Sequence, residues 1–137
     1  MKLVRALCLV ATLLGFTAVA GAQEVDYQVY KTKVEPIFLK KREGHARCVV
    51  CHEIGAGSFK LQPYPPGTKA WTEEQSRKNF EIVSYLVVPG KPEQSRLAMH
   101  PLAPEAGGSA YHSGGRQFKS KDDPDWKTIA SWIRDAK

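Results

Sequence analysis

Cysteine is scarce in this chain. Three cysteines in 137 residues are too few for the disulfide-dense scaffold of a small secreted domain. No block of like charges occurs, which argues against a dedicated nucleic-acid arm. There is no glycine-rich phosphate cradle, no Ser/His/Asp arrangement, no internal repeat and no low-complexity segment. The one long apolar stretch, residues 6–20, is shorter than the roughly 18 residues a spanning helix needs. What is present is ordinary globular composition, with 25% charged and 42% hydrophobic residues, which excludes a disordered chain. The length fits one domain.

Residues 1–22 read as an export signal. Lys2 and Arg5 form a basic start, an apolar run follows, and Ala20-Gly21-Ala22 supplies the small residues of a cleavage site. An uncleaved anchor helix is the alternative. Cys8 lies inside the apolar run, whereas a lipid-anchoring cysteine would follow it. Cleavage after Ala22 leaves residues 23–137 as an exported domain, periplasmic or extracellular, with no integral membrane segment. Losing Lys2 and Arg5 lowers the charge from +6 to +4. That surplus suits an acidic partner surface or an anionic membrane face, or is only a solvated surface.

Cys48-Val49-Val50-Cys51-His52 is a C-x-x-C-H pentapeptide, the pattern of covalent haem c attachment. Two thiols must reach two vinyl groups on one porphyrin edge. A two-residue spacer on a helical turn brings both sulfurs there, and the adjacent imidazole projects to the iron from the same face. Other uses of a cysteine pair fit less well. A redox dithiol prefers a βαβ context that this pattern lacks. Structural zinc wants four ligands. A Cys48–Cys51 disulfide would close a tight, strained loop. His52 is therefore the expected proximal axial ligand, and Cys48 and Cys51 the expected haem attachment points.

After residue 22 the chain holds four histidines, at positions 45, 52, 100 and 112, and one methionine, Met99. His45 lies three residues before Cys48, on the proximal side, and reads as a solvent or propionate neighbour. Distal ligation then falls to His112, Met99 or His100. His112 sits in Tyr111-His112-Ser113-Gly114-Gly115, where glycine lets backbone lie flat against a porphyrin face without a Cβ clash. That favours His112, with Met99, His100 and an open iron as alternatives.

The pattern around these residues is helical. Residues 29–41 place Tyr30, Val34, Ile37 and Phe38 on one stripe, with Pro36 as a kink or a break. Residues 53–70 are rich in Gly and Pro and read as a loop. Thr72-x-x-Gln75 is a capping box opening a second helix, with Phe80, Val83 and Val87 in register and Pro89-Gly90 as its stop. Residues 91–121 carry few regular signals, and a loop of that length is expected to be functional. Asp123 and Pro124 open a last helix, with Trp126, Ile129, Ala130 and Ile133 as an apolar stripe widened by Trp132. These aromatics read as core rather than as an electron relay.

An N-terminal helix, C-x-x-C-H, a middle helix, a distal loop and a C-terminal helix together resemble a class I monohaem cytochrome c. More narrowly, the chain resembles the cytochrome c-like domains of planctomycete and acidobacterial exported proteins. The matching pieces are Val34-Glu35-Pro36-Ile37-Phe38, the run from Val88 to Leu97, and Ile129-Ala130-Ser131-Trp132-Ile133. The resemblance implies an all-α domain wrapped round one covalent haem by long Gly/Pro-rich loops. In that family a Met-Pro-Pro element supplies the distal methionine. This chain lacks it, and His112 stands near the equivalent place, 17 residues after Ser95. Imidazole replaces a ligand that raises the potential, so the expectation is a bis-histidine, low-spin iron of low to intermediate potential. The function expected is a single-electron carrier between redox partners rather than an enzyme. The alternatives are a five-coordinate haem protein acting as a small peroxidase or gas-ligand sensor, and an electron-transfer subunit of a larger oxidoreductase.

Overall fold

Asp26 starts the helical chain by accepting the Val29 N–H on its side chain at 2.8 Å. In the computed structural model, residues 23–55 and 58–137 are described. The expected export signal, with Cys8, lies outside them. The first helical run comprises α1 (Tyr27–Val29), a π-helical turn (Tyr30–Val34) and α2 (Glu35–Leu39). Pro36 does not break this run. A proline ring presses on the carbonyl four residues back and offers no N–H of its own. The helix answers by widening: the Glu35 N–H reaches the Tyr30 carbonyl five residues back. Tyr30, Val34, Ile37 and Phe38 all stay buried, as their spacing predicts.

The C-x-x-C-H pentapeptide is itself a single helical turn, α3 (Cys48–His52), packed against α2. Residues 53–55 and 58–70 contain no helix. The capping box is formed. Thr72 Oγ1 accepts the Gln75 N–H at 3.3 Å and Gln75 Oε1 accepts the Thr72 N–H at 3.1 Å, opening α4 (Glu73–Ser84). That helix stops short of Pro89-Gly90, and Val87 falls outside it. The Leu86 carbonyl instead accepts the Leu97 N–H at 3.1 Å, and Ser95 Oγ accepts the Val88 N–H at 2.9 Å. These tertiary bonds draw the chain out of the helix before the proline can end it.

Residues 91–121 are more regular than their composition suggests. Pro92 and Pro104, each with its φ already suited to a first turn, open 3₁₀ turns at Pro92–Gln94 and Pro104–Ala106. Between them lies α5 (Arg96–Met99). Asp123 then caps α6 (Pro124–Arg134), its carboxylate accepting from the N–H groups of Asp125 and Trp126. Arg42 braces that cap by pairing with Asp123 at 3.0 Å and with Asp125.

The expected stripe of α6 is buried. Its two indoles act as staples: Trp126 Nε1 donates to the Ala98 carbonyl at 3.0 Å and Trp132 Nε1 to the Asp26 carbonyl at 2.8 Å. Glu24 and Lys137 exchange backbone hydrogen bonds, joining the two ends of the described chain. The architecture among the described residues is helical with no strand, only the isolated bridges Arg42–His45 and Leu102–Phe118. The expected all-α class is met at that level. Among the same residues no helix is long and apolar enough to cross a membrane.

Candidate functional site

In α3, Cys48 and Cys51 stand three residues apart and His52 four from Cys48, so all three share one helical face. Val49 points the other way and is buried, fixing the turn to the core. Both cysteines are half-buried free thiols. Burial pushes the Cys48 thiol up to about 11, so it stays protonated near neutrality. A reactive or zinc-binding cysteine needs the opposite shift. Among the described residues no group of three or more His, Cys, Asp or Glu side chains is placed to hold a metal ion by itself.

His52 is oriented from behind. Its Nδ1 lies 2.7 Å from the Phe59 carbonyl. A carbonyl only accepts, so Nδ1 carries the proton and the lone pair of the neutral ring sits on Nε2. The Phe59 ring rests 4.3 Å from the imidazole, centre to centre, and makes an edge contact with Phe38. The Leu61 N–H bonds back to the His52 carbonyl at 2.9 Å, which holds the loop in place.

His112 repeats this arrangement. Its Nδ1 lies 2.8 Å from the Gly115 carbonyl, and the Gly115 N–H returns a bond to the His112 carbonyl at 3.0 Å. Nδ1 is again the donor and Nε2 the lone-pair nitrogen. Gly115 has φ of +83°, which suits glycine. Gly114 is required for a different reason: a Cβ there would come within 2.9 Å of His112 Cε1. The glycines thus make room for the imidazole itself and shape the turn that fixes it.

The two rings face each other across a cleft. Their centres are 6.3 Å apart and their planes differ by 16°. The cleft has a cavity volume of about 280 Å³, and its lining includes Cys48, Cys51, His52, His100 and His112. Apolar walls come from Phe38, Leu97, Phe118 and Ile129, and Arg47 and Arg96 add positive charge. Among the described residues no carboxylate lines it.

The remaining expected ligands divide. His100 lines the cleft beside Arg96. Burial first, then the charges of Arg96 and His112, hold its imidazole below the usual range. Met99 does not line the cleft; it packs against the hydrophobic core. His45 sits by Gly115, outside the cleft and within a separate polar cavity.

Two contributors escape a sequence reading: Phe59, and Gln117, whose carboxamide reaches two loops. Gly114 is visible as part of the glycine-rich setting of His112, but its role as the neighbour of the imidazole is not. No protein-family model, no curated protein and no solved structure matches the chain.

Proposed function

We propose that the chain is an exported bis-histidine c-type cytochrome that carries single electrons between redox partners. The observation that carries this reading is the facing pair, His52 and His112, with two thiols at its rim. Two metal–nitrogen bonds of about 2 Å each, laid end to end with the inner halves of two imidazoles, span about 6 Å. The 6.3 Å between the two ring centres is compatible with that span. Both tautomers present Nε2 as the lone-pair nitrogen, fixed by hydrogen bonds of the kind that orient metal-binding histidines.

The lining of the rest of the cleft suits a large group that is mostly apolar and carries negative charge. Apolar side chains meet the first need and the two arginines the second, with no carboxylate among the described residues to oppose them. Cys48 and Cys51 would hold the group covalently, each S–H adding across a vinyl double bond to give a thioether. When bound, haem supplies one-electron chemistry at iron. His52 and His112 would both hold the iron, which favours electron transfer over catalysis at an open site. Phe59 and Gly115 hold the two imidazoles in orientation, and Phe38, Leu97, Phe118 and Ile129 keep water from the cleft. Arg47 and Arg96 suit propionate carboxylates, and the surplus positive charge suits a partner with an acidic surface.

The test is production in a host that matures c-type cytochromes. The purified protein should be red, heavier than its polypeptide by one haem, and low-spin in its absorption spectrum. His112→Ala should lose the low-spin spectrum while keeping the covalent haem. A colourless protein of polypeptide mass, or an unchanged spectrum in His112→Ala, overturns the reading.

A further inference from the structure

We infer that Gln117 is a positioning residue for the distal imidazole, tying the turn that carries His112 to the segment that leads into α3. This rests on the bis-histidine reading above. Gln117 is only 7% exposed and lines the cleft. Its Nε2 donates to the Gly114 carbonyl at 3.0 Å and to the Ala46 carbonyl at 3.2 Å. Gly114 lies two residues after His112, and Ala46 two before Cys48. One side chain therefore spans the wall that bears the thiols and His52 and the wall that bears His112.

The bonds that orient His112 are internal to its own turn, running between residues 112 and 115. They fix the ring relative to the turn, not the turn relative to His52. At the ends of the loop, Ser109 bonds to the Met99 carbonyl and Phe118 to the Pro101 carbonyl. Those bonds set where the loop leaves and returns. Between them, the Gln117 carboxamide reaches the turn and joins it to the opposite wall. The Gln117 carbonyl accepts from Arg42 at 3.3 Å, and Arg42 is braced on Asp123 and Asp125 at the start of α6. The tie is thus anchored in the core.

The orientation of the carboxamide has one solution. Both partners of Nε2 are carbonyl oxygens, so exchanging the amide ends would set oxygen against oxygen. Oε1 is consequently buried with no hydrogen-bond partner among the described residues. An apolar side chain would avoid that cost. The bridge explains why an amide is there.

The experiment uses haem-loaded protein and its Gln117→Leu and Gln117→Met variants, which both remove the donor, methionine at nearly the parental side-chain length. Carbon monoxide binding to the ferrous form is the readout, because His112 must leave before the gas can bind. His112→Ala sets the upper limit. Gln117→Leu should bind about tenfold faster than the parent, the factor that one to two neutral hydrogen bonds are worth. Gln117→Met covers the case in which the leucine variant does not fold. Loaded, folded variants that bind at the parental rate overturn the inference, even if they melt at lower temperature. A parent that binds as fast as His112→Ala overturns the bis-histidine reading instead. If the parent carries no haem, amide exchange at residues 112–115 decides: faster exchange in Gln117→Leu supports the tie, and equal exchange removes it.

Discussion

Glu35 is the most costly residue of the fold, a carboxyl group 5% exposed beside the π-helical turn. Tyr30 donates to it at 3.3 Å and Ser76 at 2.8 Å. Lys31 stands one bond further out, on Ser76 and Glu73. Burial nevertheless raises its pKa above the ordinary carboxylate range, against the opposing pull of Ser76, Lys31, Tyr30 and Asn79. The folded state therefore binds this proton more tightly than the unfolded chain. Its contribution to stability is greatest below the unfolded carboxylate pKa and falls as pH rises through the raised folded value. Asp123, held low by its bonds to Arg42 and the α6 backbone despite partial burial, works in the opposite direction and loses its contribution in acid. Melting temperatures of Glu35→Gln and the parent across pH isolate the first effect. The variant should gain on the parent as pH rises from the carboxylate range toward neutrality; a constant difference would contradict it. Gly114→Ala tests the other tight residue. Its Cβ would lie 2.9 Å from the His112 ring, so the turn or the imidazole must shift, at about 1–3 kcal/mol. The haem-loaded variant should show partial high-spin absorption, and an unaltered spectrum would show that the ring tolerates displacement.

Caps decided which elements could be read in advance. Thr72 with Gln75, and Asp123 with Pro124, are local devices whose partners lie within three residues, and both helices begin where those residues predict. The two caps are not equal in worth. Thr72→Ala removes a local bond and should cost about 1 kcal/mol. Asp123→Ala removes a cap and also the charged partner of a largely buried Arg42, which should bring the cost to about 2 kcal/mol or more. Urea midpoints of the two variants check the order, and equal losses would mean that the Arg42 pair adds nothing. Helix ends were less legible. The end of α4 depends on Leu97 and Ser95, which pair with Leu86 and Val88 from the following segment. The short turns between residues 92 and 106 fall below the length at which periodicity can be seen. Pro36 reads as a break because local chemistry forbids a regular α-turn there, and only the structure shows the wider turn that accommodates it.

Across the whole molecule, the residues proposed to carry the chemistry were more visible than the groups that contact them. Cys48, Cys51 and His52 follow from a five-residue motif, and His112 from its glycine-rich setting. Phe59 and Gln117 act through a backbone carbonyl and a side-chain amide on distant loops, and no spacing rule marks such partners. The cleft itself runs through the core, between Phe38, Leu97, Phe118 and Ile129. A group bound there would add contacts to residues of α2, α5 and α6 that are already buried, and ligand that binds only the folded state stabilises it. The Cys48→Ala/Cys51→Ala protein, purified without covalent haem, should melt several degrees below the loaded parent. Equal melting would mean that the core is complete without the group.

The central claim is that His52 and His112 bind one haem iron with nearly parallel imidazole planes. The electron paramagnetic resonance spectrum of the ferric, haem-loaded protein reads this directly. The account predicts a single low-spin rhombic signal, as near-parallel imidazoles give. A high-spin axial signal, the strongly anisotropic low-spin signal of perpendicular rings, or no haem signal at all would contradict it.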